Sequence, residues 1–377
     1  MDKGAVLYCG EYTGFAGGIE RYAFQTARHL RDAGWRVDWA GNRSDRGEAL
    51  FRSGFDAVFS TADLPERKRA YDLVVLHKLP ELELLTRLRA AFGERAVFLA
   101  HDHDLYCPRR YYYTPFGRTN CRRACAPVRC RLCSLLVSPR KWRGLRKHHA
   151  ALLAELRGHH AAVLSGFMRD NLLRNGFPAG HIHLLPPVVT VPDAVSRTAS
   201  DELRILFLGQ LIRGKGADLM LRALALLAIP WRATVVGDGN DRPMLERLAA
   251  DLRIADRVRF AGWADDPESC FADCDAAVFP ARWQEPFGLS GAEALAHGVP
   301  VVAFDIGGVR EWLADGVCGF AVPEQDLRAM ADRLETLYRS PDLRRKMGEA
   351  GRERIRELFA PERFLTAVRQ LAEAVNA

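Results

Sequence analysis

EPFGLSGAEALAHGVPVVAFDIGGVRE, from Glu285 to Glu311, is the stretch that constrains the fold of this chain most strongly. A loop containing Gly288 leads into a segment with helical spacing, and the apolar run Val-Pro-Val-Val-Ala follows as a strand. A helix that begins after such a loop presents free backbone N–H groups, which can receive phosphate oxygens. Two carboxylates, Glu285 and Glu293, lie eight positions apart around this loop. The stretch is therefore typical of a ligand site at the carboxyl end of a strand in an α/β sheet.

Apolar strands and helix-patterned segments alternate along both halves of the chain. In the first half a helix is expected from about Ile19 to Ala33, and the strands are expected at Ala5–Cys9, Val37–Ala40, Asp72–Leu76, Ala96–Ala100 and Ala161–Leu164. The second half restarts with a strand at Arg204–Leu208 and continues with strands in DRVRFAGW, DAAVFPA and GVPVVAFD; after Gly319 we expect helices. Alternation of this kind predicts parallel sheets with right-handed crossovers.

The length of the chain predicts two domains, because 377 residues exceed the roughly 250 to 300 at which a single core stops growing. The segment Leu184–Glu202, rich in proline and small residues, is predicted to link them. We expect an α/β protein with two Rossmann-like parallel-sheet domains, 1–190 and 191–360, that face a central cleft. A last helix within 361–377 is expected to pack back on the first domain.

Charge is distributed unevenly along the chain. The net charge is +7, yet residues 105–150 contain twelve basic and no acidic side chains, so the remainder carries −5. This basic segment, interleaved with aromatic residues, suits an anionic partner such as membrane headgroups, a lipid pyrophosphate or nucleic acid. A solvated basic face without a ligand is the alternative. No apolar run approaches the roughly 18 residues that span a bilayer, and the amino-terminal residues lack an export signal, so a cytoplasmic location is expected.

Charged side chains follow two of the predicted strands in the second half. FLGQLIRGKG, residues 207–216, projects Arg213 and Lys215 from the end of a strand, where cations can bind a diphosphate and stabilise it as it leaves. A basic turn before a helix is also common without any ligand. Glu285 can accept hydrogen bonds from sugar hydroxyls and Glu293 from a ribose diol. Carboxylates at this position can alternatively serve only to complement the helix dipole.

The order of these motifs carries a resemblance to a known family. GQLIRGKG, then VVGDGNDRPMLERLAADLRIADRVRFAGW, then the stretch from Glu285 resemble the nucleotide-sugar domain of the retaining glycosyltransferases of family 4, also described as glycosyl transferases group 1, which have the GT-B fold. The resemblance covers the whole second half. In the first half it is looser, in GGIERYAFQTARHLRDAGWRV and VFLAHDHDLYCPR.

The resemblance implies roles for particular residues. Lys215 would contact the donor diphosphate, Glu285 the sugar hydroxyls and Glu293 the ribose, while the backbone at Gly288 and Leu289 would hold phosphate. In the first domain, the loop at Gly17 and Gly18 would close on the donor, and His101 matches the family's active-site histidine; His103, two positions on, is the less favoured candidate for that role.

The resemblance also implies the donor and the chemistry. The donor would be a nucleotide-sugar, with a UDP- or GDP-sugar favoured, and transfer would proceed without a catalytic divalent metal. One departure is Gln210, where the family usually has arginine, so that a phosphate-binding cation is missing. Three alternatives stay open: Arg213 compensates, transfer is slower, or the donor is atypical.

Five of the nine cysteines are clustered in sequence: Cys107, Cys121, Cys125, Cys130 and Cys133. Four of the five would suffice for a structural tetrahedral zinc site or an iron–sulfur cluster that fastens the basic segment, about 105–147. Unligated thiols in a basic loop are the alternative, and without an export signal a disulfide framework is not expected.

Three functions are compatible with these patterns. The leading one is a retaining glycosyltransferase that moves a hexose-type sugar to a glycan or lipid-linked acceptor during cell-surface polysaccharide or glycoconjugate synthesis, at an anionic membrane surface. A GT-B-like sugar-nucleotide epimerase or hydrolase is the enzymatic alternative. The third is a nucleic-acid-binding module with a vestigial donor site; the second-half motifs make nucleic acid the less favoured partner.

Overall fold

The computed structural model describes residues 4–67, 71–77, 82–109, 112–114, 119–135, 151–193, 200–264, 266 and 268–377. The chain forms two compact units. The first comprises Met1–Val188 and Pro361–Ala377, and the second comprises Val189–Ala360.

Seven strands within the described residues form the sheet of the first unit, in the order β5-β3-β1-β6-β7-β8-β9. Every neighbouring pair is parallel. A separate two-stranded pair, β2 and β4, adjoins it in sequence. The bounds are β1 Ala5–Cys9, β2 Tyr12–Thr13, β3 Arg36–Ala40, β4 Arg43–Ser44, β5 Ala57–Phe59, β6 Leu73–His77, β7 Ala96–Ala100, β8 Ala161–Val163 and β9 Ile182–Leu184.

The helices of this unit pack on a sheet whose inner strands are almost entirely buried and whose edge strands, β5 and β9, are partly exposed. The first helix buries one face, including Tyr22, Ala27 and Leu30, and its acidic Glu20 lies in the first turn, where the helix dipole favours a negative charge. The last helix belongs to this unit, since the Asn376 side chain donates to the Asp72 carbonyl at 2.9 Å. The bounds are α1 Gly18–Asp32, α2 Glu48–Ser53, α3 Leu82–Phe92, α4 Pro127–Leu135, α5 Gly166–Arg174 and, from the end of the chain, α12 Pro361–Asn376.

The described part of the second unit contains a six-stranded parallel sheet in the order β12-β11-β10-β13-β14-β15. Its strands are β10 Leu203–Leu208, β11 Trp231–Val236, β12 Val258–Gly262, β13 Ala276–Phe279, β14 Val301–Phe304 and β15 Gly319–Val322. Its helices are α6 Ala217–Leu224, α7 Arg242–Asp251, α8 Leu289–Ala296, α9 Val309–Trp312, α10 Leu327–Arg339 and α11 Pro341–Leu358.

The α/β fold class is confirmed, with one local correction. The segment after Gly319, expected to be helical, begins with β15, which pairs with β14 from Val301↔Gly319 to Phe304↔Val322. Gly-Phe-Ala-Val is too short to show a period, and its strand conformation comes from pairing with a neighbour distant in sequence. No described helix is both long and apolar enough to cross a membrane.

Candidate donor site and the residues that position it

Lys215 and Glu285 form an ion pair at the carboxyl ends of two adjacent strands. β10 and β13 are parallel neighbours, and the loops that leave them carry the two residues. The Lys215 Nζ atom lies 2.8 Å from Oε1 of Glu285. The Lys215 and Glu285 side chains are only 29% and 11% exposed, so the pair is partly shielded from water. Shielding strengthens the attraction between the two charges relative to an ion pair on an open surface. The structure thus unites two residues that lie 70 positions apart in sequence.

Backbone packing fixes the turn that presents Lys215. Gly216 has a φ of +72°, and a Cβ there would lie 1.9 Å from the carbonyl oxygen of Pro280. A Cβ at Gly214 would lie 2.0 Å from the Trp283 ring. The Arg282 N–H donates to the carbonyl of Gly214 at 2.8 Å, so the turn is joined directly to the chain that leaves β13. Gly214 and Gly216 are therefore required by this close packing, whether or not a ligand binds.

Arg282 adds a side-chain brace that the sequence analysis missed. Its guanidinium donates to the backbone carbonyl of Arg213 at 3.0 Å and to both carboxylate oxygens of Asp218, each at 2.5 Å. Bidentate arginine–carboxylate pairing of this kind fixes orientation as well as distance. Arg213 and Gln210 themselves are exposed on the same loop. Arg282 thus holds the backbone from which Arg213 and Lys215 project.

The loop that holds Glu285 also depends on glycines. The Gly308 N–H donates to the Glu285 carbonyl at 2.8 Å, and a Cβ at Gly307 would lie 2.3 Å from that same oxygen. Gly307 has a φ of +55°, which favours glycine. Gly307 and Gly308 belong to the stretch from Glu285 to Glu311, but the sequence pattern predicts no role for them. They hold the backbone of Glu285, whose residue as a whole is 8% exposed.

Helix α8 begins where the sequence predicts it. Gly288 precedes it with a φ of +90°, and a Cβ there would lie 2.7 Å from the Phe279 ring. The buried Trp312 donates its indole N–H to the Phe287 carbonyl at 2.7 Å and so holds the entry to the helix. Leu289 is the first helical residue, and no described side chain caps the N–H groups of the first turn, of which that of Gly291 donates to the Gly288 carbonyl at 3.0 Å. Glu293 lies in the middle of α8 and is 5% exposed.

The first unit contains the other predicted site residues. Gly17 is the extended residue before α1, and a Cβ at Gly18 would meet no described atom within 4 Å. Packing within the described chain therefore does not require glycine at position 18. His101 directly follows β7, and its Nε2 lies 2.8 Å from Nδ1 of His77, the last residue of β6.

His103 has a structural environment. It is 3% exposed, its Nδ1 lies 2.5 Å from the Tyr106 hydroxyl, and its ring stacks on Tyr112. His101 as the site histidine at the end of β7 stays a prediction.

The five clustered cysteines are half-buried, and the structure leaves them as thiols. Cys107, Cys121 and Cys125 pack against the core of the first unit. The Ala126 N–H donates to Cys130 Sγ at 3.3 Å, and the Arg109 guanidinium approaches Cys133 Sγ at 3.7 Å. A hydrogen bond between the side chains of Cys125 and Cys130 lowers the pKa of Cys130 and raises that of Cys125.

No three histidine, cysteine or acidic side chains of the described residues are arranged to hold a metal ion. Metal binding by the cysteines stays a prediction from their spacing. Much of the basic segment, including 136–150, lies outside the described residues.

Residues 193–354 match the family model described as glycosyl transferases group 1. The lipopolysaccharide core biosynthesis glycosyltransferase LpsE of Rhizobium meliloti (strain 1021) is 33% identical over 186 residues, which are 49% of this chain and 54% of LpsE. The chain thus spans about half the length of that curated relative.

Solved structures match almost the full length. HepE of Anabaena, in complex with UDP-glucose, has a TM-score of 0.73 at 18% identity and covers 99% of both chains. TarM of S. aureus, in complex with fondaparinux, alpha-GlcNAc-glycerol and UDP, has a TM-score of 0.74 at 12% identity, covering 98% of this chain and 99% of that one. The chain has the GT-B fold, and its residues 193–354 match the glycosyl transferases group 1 family; membership of family 4 and a retaining mechanism stay predictions.

Proposed function

We propose that this protein is a retaining glycosyltransferase that moves a sugar from a nucleotide-sugar to an acceptor. The observation that carries the proposal is the Lys215–Glu285 pair of 2.8 Å, held by glycine-dependent loops beside the first turn of α8. A cation, a carboxylate and free helical N–H groups are what a sugar diphosphate requires. The group 1 match over 193–354 supports the same reading.

Each candidate site residue of the second unit has a part in donor binding. Lys215 binds the diphosphate, the N–H groups at Gly288 and Leu289 receive phosphate oxygens, Glu293 accepts from the ribose and Glu285 from the sugar hydroxyls. Lys215 would leave Glu285 when the diphosphate arrives, which frees the carboxylate for the sugar. Gln210 contributes no charge, and the exposed Arg213 supplies the additional cation.

The chemistry follows from this charge arrangement. The bond between the anomeric carbon and the diphosphate breaks, the acceptor oxygen bonds to that carbon on the same face, and the acceptor proton passes to the departing phosphate oxygen. Lys215 and the helix N-terminus stabilise the charge that develops on the diphosphate, without a divalent metal. For the first unit, the resemblance to family 4 implies that His101 contacts the reacting sugar and that the loop at Gly17 and Gly18 contacts the donor.

The donor is a UDP- or GDP-sugar, and the structures solved with UDP favour UDP. A thermal-shift panel of UDP-, GDP- and ADP-sugars tests this, since a ligand that binds only the folded state raises the melting temperature. We expect one UDP-sugar to give the largest shift. Turnover of that donor without any acceptor would instead favour an epimerase or hydrolase.

The acceptor is a glycan or a lipid-linked saccharide at an anionic membrane surface. The twelve basic residues of 105–150 and the lipopolysaccharide-core role in the name of LpsE support this assignment. Co-sedimentation with vesicles at low and high salt tests it. We expect binding to anionic vesicles that salt weakens, and equal indifference to anionic and neutral vesicles would contradict it.

A further inference from the structure

His77 is a buried histidine that the donor site does not use. It ends β6, pairs in register with Leu99 of the neighbouring β7, and is 1% exposed. Because β6 and β7 are parallel, His77 and His101 leave the sheet at the same edge. Their imidazoles meet there, with His77 Nδ1 2.8 Å from His101 Nε2 and the ring planes 25° apart.

Aromatic rings surround His77 on its other sides. Tyr8 of β1 lies at a centroid distance of 4.7 Å, Tyr22 of α1 at 5.9 Å and Trp39 of β3 at 6.0 Å. Burial raises the pKa of both tyrosines, so they stay neutral. Burial, followed by the charge of His101, lowers the pKa of His77 well below its usual range. His77 is therefore a neutral imidazole at physiological pH.

The proton on neutral His77 can be assigned from the burial of its other nitrogen. Nε2 of His77 is buried and has no hydrogen-bond partner among the described residues. A buried N–H without a partner is rarer and costlier than a buried acceptor without one. The proton therefore lies on Nδ1 and is donated to Nε2 of His101. Neutral His101 must then carry its own proton on Nδ1.

We propose that His77 is a positioning residue for the transfer reaction: its hydrogen bond holds the His101 ring in one orientation and one tautomer. This rests on the proposed function, in which His101 contacts the reacting sugar. His77 itself touches no substrate. In functional histidines generally, the hydrogen bond made by one ring nitrogen decides which nitrogen carries the proton, and His77 would provide that hydrogen bond for His101.

Three variants of the full chain separate this role from packing. His77→Phe keeps an aromatic ring in an aromatic surround and removes the hydrogen bond. His77→Asn places an amide N–H near the position of the imidazole Nδ1 and keeps it. His160→Phe is the matched control, because His160 also forms a close histidine pair in this unit, with Nδ1 2.7 Å from His183 Nε2.

The activity measurements are kcat and KM with the donor that the panel selects. We expect His77→Phe to lower kcat by about 10- to 100-fold with the donor KM nearly unchanged, and His77→Asn to restore most of it. His160→Phe should match the wild type. In a His101→Ala background, His77→Phe should have no further effect on kcat, because it acts through His101. A further loss in that background, or equal losses in both His77 variants, would overturn the proposal.

A second readout does not depend on activity. Nitrogen-15 NMR of labelled histidine should show neutral His101 protonated on Nδ1 in the wild type and in His77→Asn, and a shift towards Nε2 protonation in His77→Phe. An unchanged tautomer in His77→Phe would overturn the assignment. If the wild type turns over no nucleotide-sugar while this spectrum behaves as expected, the hydrogen bond stands and the proposed function fails.

Discussion

The Lys215 ammonium and the Glu285 carboxylate, 2.8 Å apart, are each placed by a glycine whose Cβ would collide with backbone. For Lys215 the glycine is Gly216, packed on Pro280; for Glu285 it is Gly307, packed on Glu285 itself. Two loops from adjacent strands are thus fixed independently of any ligand. Donor binding would therefore require the Lys215 and Glu285 side chains to separate, while the loops that carry them stay in place, which lowers the cost of ordering the site.

Glu285→Gln should separate sugar transfer from nucleotide binding. We expect kcat to fall about 100-fold, because the carboxylate that holds the sugar hydroxyls is lost. The nucleoside diphosphate without sugar should bind at least as tightly as to the wild type, since Lys215 no longer leaves a carboxylate. Steady-state kinetics and calorimetric titration check the two parts. Arg232→Ala, at a 70% exposed side chain of the same unit, is the control and should change neither. Unchanged kcat in Glu285→Gln would refute this role.

Gly216→Ala should destabilise the second unit far more than Gly316→Ala. The two glycines have nearly equal φ values of +72° and +75°, so both substitutions carry the left-handed backbone penalty of about 1 kcal/mol. A Cβ at Gly316 meets nothing described within 4 Å, whereas at Gly216 it lies 1.9 Å from the Pro280 oxygen. The difference in unfolding free energy, from denaturant titration, should exceed about 2 kcal/mol. Equal losses would show that the turn does not pack on β13 as described.

His77 makes stability depend on pH. Its pKa in the folded protein is lowered well below 6.5, so below about pH 6.5 the unfolded state binds a proton that the folded state does not. Stability from this residue is therefore complete above that pH and is lost as the pH falls. Replacing His77 with phenylalanine should reduce the decline of unfolding free energy between pH 7 and 5, by up to about 1.4 kcal/mol per pH unit. Parallel pH curves for the two proteins would count against the buried neutral imidazole.

The clustered cysteines are expected to bind a structural metal, at about one equivalent per chain. Because the described thiols are not arranged as a ligand set, binding requires their side chains to rotate. Elemental analysis of freshly purified protein measures it. Cys121→Ser with Cys130→Ser should lose the metal and melt at a lower temperature, while Cys270→Ser, a half-buried thiol of the second unit, should keep it. Metal-free wild-type protein that is indifferent to chelators would favour the free-thiol alternative.

Sequence patterns predicted the parts of the fold in which local signals agree with tertiary structure. The apolar runs at Ala5–Cys9 and Ala96–Ala100 are strands with the predicted bounds, and the last helix has them as well. β15 was missed because four residues show no period. Lys215 and Glu285 were expected to belong to one site. Their direct contact was not predicted, because it depends on the adjacency of β10 and β13.

Other residues gave no local signal at all. His77 is a lone histidine at a strand end, and its importance comes from a neighbour 24 positions away. Arg282 holds the loop at Arg213, and Gly307 packs on the backbone of Glu285. In both cases the two residues are distant in sequence and meet only in the folded chain. Positioning residues of this kind become recognisable only when the strands that carry them are aligned.

Calorimetric titration of Lys215→Ala with the preferred nucleoside diphosphate tests the donor site most directly. We expect the affinity to fall by about 10- to 100-fold relative to the wild type, because the cation that pairs with the diphosphate is lost. Lys215→Arg should retain part of it, and the melting temperature of both variants serves as the folding control. Wild-type affinity in a folded Lys215→Ala protein would contradict the assignment of this pair as the donor site.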